Sequence, residues 1–289
     1  MSDICFSYGP SDLSLMPPRK AESNKGSYGR VLCVCGSVGM AGAAYLCASA
    51  ALRTGAGLVE ILTPEENRVI IQTLLPEAIV SVYDKSAPSN EQIDACLTRA
   101  NAVVCGCGLG VGSASRALLG RVLRKVQVPT VLDADALNII SKSPTLLKYA
   151  ANKIITPHPM EMSRLCAQDV SDINADRESV CSDFAESHSL ICVLKGHRTV
   201  VSDGKSVFIN TSGNSGMATA GSGDVLAGII GGILAQNTEG KLDMLQAASL
   251  GVYVHGLCGD AAAQKLGEYS VIASDIVANL PDVLKEIPR

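Results

Sequence analysis

Residues 210–226 carry the strongest chemical signal in the sequence, because closely spaced glycines surround one acid. The segment, NTSGNSGMATAGSGDVL, follows a predicted strand and opens an apolar predicted helix. Glycines adopt positive φ angles and approach ligands closely, and the free N–H groups at a helix N-terminus suit a phosphate. Asp224 lies in the first turn, where a carboxylate can take a proton from a hydroxyl that attacks the phosphate. The alternative is an ordinary early-helix acid. The spacing fits neither a P-loop nor a Rossmann fingerprint.

The segment TPHPME, residues 156–161, also follows a predicted strand and precedes a helix. Two prolines fix the backbone around His158, and Glu161 falls near the helix start. One interpretation is a ligand-contacting imidazole with a carboxylate that engages a phosphate-bound metal through water. The other is a helix-capping turn with a solvated acid.

Other turns at predicted strand ends carry compatible residues. Lys195 follows an apolar strand and precedes Gly196, so its ammonium can reach a nucleotide phosphate, although a water-exposed hairpin lysine has the same pattern. Asp133 and Asp135 could orient a substrate or Mg²⁺, or could cap the next helix. The small-residue turns at 36–43 and 106–110 permit close ligand approach or tight helix packing. Together these turns predict one nucleotide site.

The composition excludes several classes of protein. The chain has 289 residues, with 24 Lys+Arg against 28 Asp+Glu, 47% hydrophobic residues and 3% aromatic residues. Disorder is therefore excluded, and a core of small aliphatic side chains is expected. The mild acidity argues against a nucleic-acid binder and against a binder of anionic membranes, since both need a basic face. The longest apolar stretch, residues 225–235, is too short to span a bilayer, and we expect no secretion signal.

Eleven cysteines are scattered along the chain without zinc-site spacing. Cys33 with Cys35, and Cys105 with Cys107, form C-x-C pairs at predicted strands. We expect each pair to be two small buried side chains. A high number of cysteines without a disulfide or metal pattern indicates a reducing compartment and hence a cytoplasmic protein.

Short β-rich runs alternate with helical runs after a polar arm, residues 1–25, that we predict to be irregular. The strands are almost continuously apolar, which is typical of a parallel sheet covered on both faces. No linker or repeat divides the chain, so one α/β domain over 1–289 is expected. Ligands gather at the carboxyl ends of such strands, where the polar turns lie. The predicted strands are 30–35, 58–63, 78–82, 102–105, 129–133, 153–156, 190–194 and a hairpin of 199–202 with 206–210.

Taken in order, the motifs resemble the NAD(P)H-hydrate dehydratases, the carbohydrate-kinase-related branch of the ribokinase-like fold, over about residues 20–285. The motifs are KGSYGRVLCVCGS (25–37), GAAYLCASAALRTGAGLV (42–59), GCGLG (106–110), DADALN (133–138), TPHPMEMSRL (156–165), LKGHRT (194–199) and GNSGMATAGSGDVLAGII (213–230). The chain departs from the family pattern at four positions, none of which removes an acid, a base or a phosphate-binding group. Cys107 and Ser215 replace common prolines, and Met160 and Ala220 replace common glycines.

The resemblance implies a ribokinase-like three-layer α/β/α fold with a mostly parallel central sheet. It implies repair of (6S)-NAD(P)H hydrate: a nucleotide phosphorylates the C6 hydroxyl, and the ring nitrogen then expels the phosphate to restore NAD(P)H. ADP yielding AMP is favoured over ATP for this compact form, with Mg²⁺ as cofactor. The family also suggests a homotetramer. Larger members carry an N-terminal epimerase domain, which we do not expect here, so an epimerase partner would be a separate protein.

The resemblance also implies roles for individual residues. Asp224 would activate the substrate hydroxyl, with Ala43, Gly108 and His158 also against the hydrated dinucleotide. Glu161 would belong to the metal or phosphate network. The implied nucleotide-binding residues are Lys195, Gly196, His197, Arg198, Thr199, Asn214, Met217, Thr219, Gly221, Ser222 and Gly223.

Two other functions are compatible with the same motifs. The first is a small-molecule kinase of the hydroxymethylpyrimidine or hydroxyethylthiazole type, which would release a stable phosphorylated product. The second is a nucleotide sensor without catalysis, although binding alone does not need Asp224. His188 and His255 have no evident partners in the sequence, and we expect structural or surface roles for both.

Overall fold

The computed structural model describes residues 4–85 and 88–287, and its centre is one mostly parallel sheet. The strands are β1 (Ile4–Phe6), β2 (Arg30–Val34), β3 (Leu58–Pro64), β4 (Ile79–Tyr83), β5 (Ala102–Cys105), β6 (Thr130–Leu132), β7 (Ile154–Ile155), β8 (Ile191–Leu194), β9 (Val200–Ser202) and β10 (Ser206–Ile209). Their spatial order is β1-β10-β9-β8-β7-β6-β5-β2-β3-β4. Neighbouring strands are parallel except β9, which is antiparallel to both β8 and β10.

Helices cover both faces of the sheet, as the apolar strands predict. They are α1 (Ala41–Thr54), α2 (Arg68–Leu74), α3 (Asn90–Arg99), α4 (Ser113–Lys125), α5 (Asp135–Lys142), α6 (Pro159–Cys166), α7 (Val170–Ala175), α8 (Arg177–His188), α9 (Ser222–Gln236), α10 (Met244–Leu266) and α11 (Ala273–Leu284). Alternate residues of β2 face opposite ways: Val31 packs with α1, α9, α10 and α11, and Leu32 packs with α3, α4, α5 and α8. The predicted three-layer α/β/α architecture is confirmed. Among the described helices, none combines the length and apolarity needed to cross a bilayer.

The prediction of an irregular arm over residues 1–25 is wrong at residues 4–6. Residues 4–6 form β1, which pairs in parallel with β10 and places Phe6 opposite Phe208. The Phe6 and Tyr8 rings lie 5.5 and 4.9 Å from the Phe208 ring, centroid to centroid. Aromatic pairs at these separations are attractive, so burial of this ring cluster holds the first strand to the sheet edge. Its partner is about two hundred residues away, and the arm itself carries no local strand pattern.

α9 lies against the sheet and is the most enclosed element near the predicted site. Every residue of α9 is buried except Gly223 and Asp224. Glycines permit this enclosure: a Cβ at Gly228 would lie 2.1 Å from the carbonyl oxygen of Cys47 on α1. α9 also packs against β2, β5 and β6. Core packing therefore fixes the position of the first turn of α9, which carries the motif acid.

Candidate active site

The carboxyl ends of β6, β7 and β8 bring three polar side chains together. Asp133 follows β6, Thr156 follows β7 and Lys195 follows β8. Asp133 Oδ1 accepts hydrogen bonds from Lys195 Nζ and from Thr156 Oγ1, each at 2.7 Å. Asp133 and Thr156 are buried. Because these neighbouring strands are parallel, the ion pair lies at the carboxyl ends of the strands, where ligands are expected.

The 156–161 segment has features of both interpretations of its sequence: it forms a helix cap, and it places an acid near Lys195. His158 caps α6: its Nδ1 accepts from the backbone N–H groups of Met160 and Glu161, and Glu161 Oε2 accepts from the His158 N–H at 2.9 Å. Glu161 is buried, with Oε2 3.9 Å from Lys195 Nζ. Burial raises the pKa of Glu161, against the opposing charge of Lys195, and burial together with Lys195 lowers the pKa of His158. The half-exposed imidazole is therefore neutral at physiological pH.

Lys195 connects the sheet edge to the start of α9. Burial lowers the pKa of Lys195, but the charges of Asp133 and Glu161 outweigh burial and raise it, so the ammonium is charged at neutral pH. A Cβ at Gly223 would lie 3.1 Å from Lys195 Nζ. The glycine therefore leaves room for the cation directly beside the first turn of α9.

Asp224 lies in that first turn, next to Cys107 and Asp133. One ligand atom from each of these three side chains lies within 4.8 Å of the other two. Burial raises the pKa of Asp224 to about 9; Cys107 and Asp133 act in the same direction, and Lys195 opposes them. Across residues 4–85 and 88–287, no cation forms an ion pair with Asp224. This carboxyl group is thus a strong proton acceptor once it is ionised.

The 195–199 turn is ordered by its own hydrogen bonds. Thr199 Oγ1 donates to the carbonyl of Gly196 and accepts from the Gly196 N–H. The Arg177 guanidinium donates a hydrogen bond to the backbone carbonyl of His197. The side chains of His197 and Arg198 are both exposed. His197 and Arg198 help to line a depression of about 250 Å³. The turn therefore presents polar groups to solvent on a fixed backbone.

α10 holds the glycine-rich loop that precedes α9. Asp260 accepts from the Gly213 N–H at 2.8 Å and from Asn214 Nδ2 at 2.9 Å. Met217 packs against Gly259, where a Cβ would lie 2.1 Å from the Met217 Sδ. The Thr219 carbonyl accepts from the N–H of Ser222, where α9 begins. Asn214 and Met217 are therefore partly occupied with positioning the loop.

Ala43 and Gly108 form a second group, beside the first. Gly108 has φ +60°, and a Cβ there would lie 2.8 Å from that of Ala43 at the start of α1. The sulfur of Cys107, which precedes Gly108 in the chain, lies within 4.8 Å of an Asp224 carboxylate oxygen. Of the four predicted substrate residues, Ala43 and Gly108 thus lie together with Asp224 close by, whereas His158 lies beside Glu161 on the other side of Lys195 and Asp133.

Comparison with known proteins decides the family. The family model described as NAD(P)H-hydrate dehydratase matches residues 31–282. The chain belongs to the NAD(P)H-hydrate dehydratase family. The ribokinase-like fold that the motifs implied is confirmed as well, because solved proteins of that superfamily share it over nearly the whole chain.

Three members illustrate the range of the family. The chain is 39% identical to the ADP-dependent (S)-NAD(P)H-hydrate dehydratase of Neisseria meningitidis, over 90% of this chain and 84% of that one. It is 38% identical to the bifunctional NAD(P)H-hydrate repair enzyme of Vibrio cholerae, over 94% of this chain and 52% of the other. The chain thus spans about half the length of the first curated relatives it matches. An ADP/ATP-dependent NAD(P)H-hydrate dehydratase of Bacillus subtilis, crystallised with ATP and Mg²⁺, superposes with a TM-score of 0.83 at 27% identity and full coverage of both chains.

Sequence reasoning missed Asp260 and found no partner for His255. His255 Nε2 lies 3.3 Å from Ser222 Oγ, and burial lowers the pKa of His255 to about 4, so it is neutral. Asp260 and His255 both lie on α10, and no local pattern distinguishes them there. Asp133 was selected from the sequence as an acid after a strand, but its pairing with Lys195, 62 residues away, was not predicted.

Proposed function

We propose that the protein is a nucleotide-dependent (S)-NAD(P)H-hydrate dehydratase. One observation carries the proposal: the motif acid Asp224 lies, with Gly223, on the only unburied part of α9 within the described chain, beside the Lys195–Asp133 ion pair. A relative 39% identical to this chain is named as an ADP-dependent enzyme of that class. ADP is accordingly the favoured phosphoryl donor, with ATP as the alternative.

The first step is phosphoryl transfer to the hydrated nicotinamide ring. Asp224 takes the proton of the C6 hydroxyl while the hydroxyl oxygen attacks the terminal phosphorus of ADP. The bond from that phosphorus to the bridging oxygen breaks, and AMP leaves with the electron pair. The N–H groups of Gly221 and Gly223 would donate to the moving phosphoryl group, as those of a helix N-terminus do for anions, whereas the Ser222 N–H already donates to the Thr219 carbonyl. Lys195, beside Gly223, adds its positive charge.

The second step is elimination. The lone pair of the ring nitrogen expels phosphate from C6, and loss of a proton from C5 restores the ring double bond. The products are NAD(P)H, AMP and inorganic phosphate. Ala43, Gly108 and the neutral His158 would hold the dinucleotide. The exposed residues 196–198, whose turn Thr199 holds, would face the nucleotide together with Asn214, Met217 and Thr219.

The side chains fit a magnesium ion that is held chiefly by the nucleotide phosphates. Mg²⁺ usually keeps several waters and takes only one or two protein carboxylates. Glu161 already accepts a backbone hydrogen bond and faces Lys195, so it would reach the ion through water. Bound in this way, Mg²⁺ would neutralise charge on the phosphates.

We also propose a setting for the enzyme. Its substrate would be delivered by an NAD(P)H-hydrate epimerase, because the bifunctional relatives are named as repair enzymes of about twice this length. Free thiols at all eleven cysteines agree with a reducing cytoplasm. Exposed apolar side chains such as Val69, Ile70 and Ile272 are compatible with a homotetramer.

The test follows the near-ultraviolet absorbance of reduced nicotinamide. Purified protein is mixed with hydrated NADH, Mg²⁺ and either ADP or ATP. A nucleotide-dependent rise, with AMP formed from ADP, is expected. A stable phosphorylated hydrate without the rise would instead indicate a kinase. Nucleotide binding without any turnover would indicate a sensor, and either result would overturn the proposal.

A further inference from the structure

Four cysteine side chains converge beneath the candidate active site. Cys33 lies on β2, Cys35 directly follows β2, Cys47 lies on α1 and Cys107 follows β5. We call these four residues the thiol cluster. All four are fully buried, and all have free thiols. The fold thus assembles thiols from three separate segments at one point.

The spacing of the sulfur atoms is close to that of a metal–thiolate site. The Sγ atoms of Cys35, Cys47 and Cys107 lie within 4.8 Å of one another, and the Cys47 and Cys33 Sγ atoms are 3.8 Å apart. With zinc–sulfur bonds of about 2.3 Å, two ligands of a tetrahedral site lie about 3.8 Å apart. Small rotations of the side chains would therefore bring three sulfurs onto one cation. The Cys33 sulfur lies beside that of Cys47.

We propose that Cys35, Cys47 and Cys107 bind a thiophilic cation of the zinc and cadmium class. Soft thiolates select such ions, whereas Mg²⁺ prefers oxygen ligands, so magnesium at the neighbouring phosphate site would not compete. Each coordinating thiol gives up its proton to solvent when the cation binds. A divalent ion offsets two of the resulting thiolate charges, and the remaining charge lies near Lys195, the cation of the sheet edge.

Occupancy of this cluster acts on the catalytic acid through Cys107. The Cys107 Sγ lies 3.9 Å from Asp133 Oδ2, and the same sulfur is within 4.8 Å of an Asp224 oxygen. Three thiolates around one divalent cation leave one net negative charge beside Asp224, and this charge opposes the approach of the phosphoryl group there. Metal binding also fixes the Cys107 side chain that borders Asp224. Metal binding therefore inhibits turnover, a consequence that rests on the proposed dehydratase function, whereas binding itself does not.

The chain offers a matched control for the thiol cluster. Cys181 and Cys192 are also buried and adjacent, with the Cys181 thiol 3.3 Å from the Cys192 carbonyl oxygen. They lie on α8 and β8, and the described residues give them no third close ligand. A Cys181→Ala variant thus removes a buried thiol without touching the proposed site.

The binding test uses Cd²⁺ as the probe, under anaerobic conditions, on full-length protein stripped with a chelator. Titration is followed by the ultraviolet thiolate-to-cadmium charge-transfer absorbance and by native mass spectrometry. One Cd²⁺ per chain is expected, with affinity at least about tenfold weaker in Cys47→Ala and unchanged in Cys181→Ala. Circular dichroism and Cys35→Ala distinguish ligand loss from misfolding. Equal binding by wild type and Cys47→Ala, or no charge-transfer band in wild type, overturns the site.

The activity test is separate. Zn²⁺ should inhibit wild type reversibly, with relief by a chelator, and should inhibit Cys47→Ala at least about tenfold less strongly. Equal inhibition of both proteins overturns the link between the cluster and Asp224. Cadmium binding through Cys47 in a protein that never restores NADH would support the metal site and reject the dehydratase function.

Discussion

Two carboxylates, the buried Glu60 on β3 and the partly buried Asp224 on α9, lie in opposite electrostatic settings. Glu60 accepts hydrogen bonds from Arg99 at 2.7 Å, from Arg30 at 3.1 Å and from Ser81 at 2.7 Å. Burial alone would raise the pKa of Glu60, but Arg99 and Ser81 outweigh it and lower the pKa. Asp224 has Cys107 and Asp133 as neighbours instead, and its pKa rises to about 9. The same functional group thus stabilises the fold where cations surround it, and where they do not it has the raised pKa that suits the base role we propose.

Replacing Asp224 by Asn should produce the largest effect. The amide cannot take the C6 hydroxyl proton, so we expect turnover to fall by about 10³-fold while ADP binding is kept. Asp172→Asn alters an exposed acid in the first turn of α7 and should leave turnover unchanged. Steady-state rates and calorimetric ADP titration measure both quantities. Normal turnover in Asp224→Asn would remove this residue from the mechanism.

Replacing Lys195 by Met should cost about 100-fold in turnover. The change removes the cation beside the first turn of α9 and leaves Asp133 without its ion-pair partner. Because Lys195 lowers the pKa of Asp224, the variant should also need a higher pH to reach its own maximal rate. The pH dependence of kcat separates these effects from loss of binding. Lys205→Met, at an exposed hairpin lysine, is the control.

Replacing Glu60 by Gln should lower stability and spare catalysis, the reverse of the Asp224 result. Two guanidinium groups would then face a neutral amide, and we expect a loss of about 2 kcal/mol in the free energy of unfolding. Urea denaturation measures this loss. Asp224→Asn should not be destabilised in the same experiment, because it removes no ion pair. If both variants lose equal stability, the contrast between the two carboxylates is wrong.

The wild-type rate should increase with pH. An acid with a pKa near 9 is mostly protonated at pH 7, and only its ionised form can accept the substrate proton. The rate should therefore rise by about tenfold per pH unit above neutrality and level off near pH 9. A profile of kcat/KM from pH 6 to about 10 measures this rise. A flat profile would mean that Asp224 is already ionised at neutral pH.

Local patterns predicted much of the fold. The apolar runs at β3 and β5 were located to within a residue, because a buried parallel strand is visible in its own sequence. β1 was missed because its stability comes from Phe208 and Tyr253, which are distant in sequence. A short polar arm gives no sign of such partners.

The same limit applies to the candidate site. The sequence alone identified three candidate site residues, because each follows a strand or opens a helix in a recognisable motif: Asp224, Lys195 and Glu161. The burial of Cys105 and Cys107 was also predicted, and it is confirmed. The approach of Cys107 to Asp224 could not be predicted, because it depends on how α9 crosses the end of β5. His255 reaches Ser222 only through the packing of α10 on α9.

The enclosure of α9 sets the mobility of the site. Amide hydrogens of a helix surrounded by core exchange with solvent only when the whole domain opens, whereas loop amides exchange through local fluctuations. Asp224 is carried by such a helix, and the loop before it is fastened through the side chain of Asp260. If Asp224 acts as proposed, it is therefore held in position before substrate binds, and little conformational entropy is lost when it does.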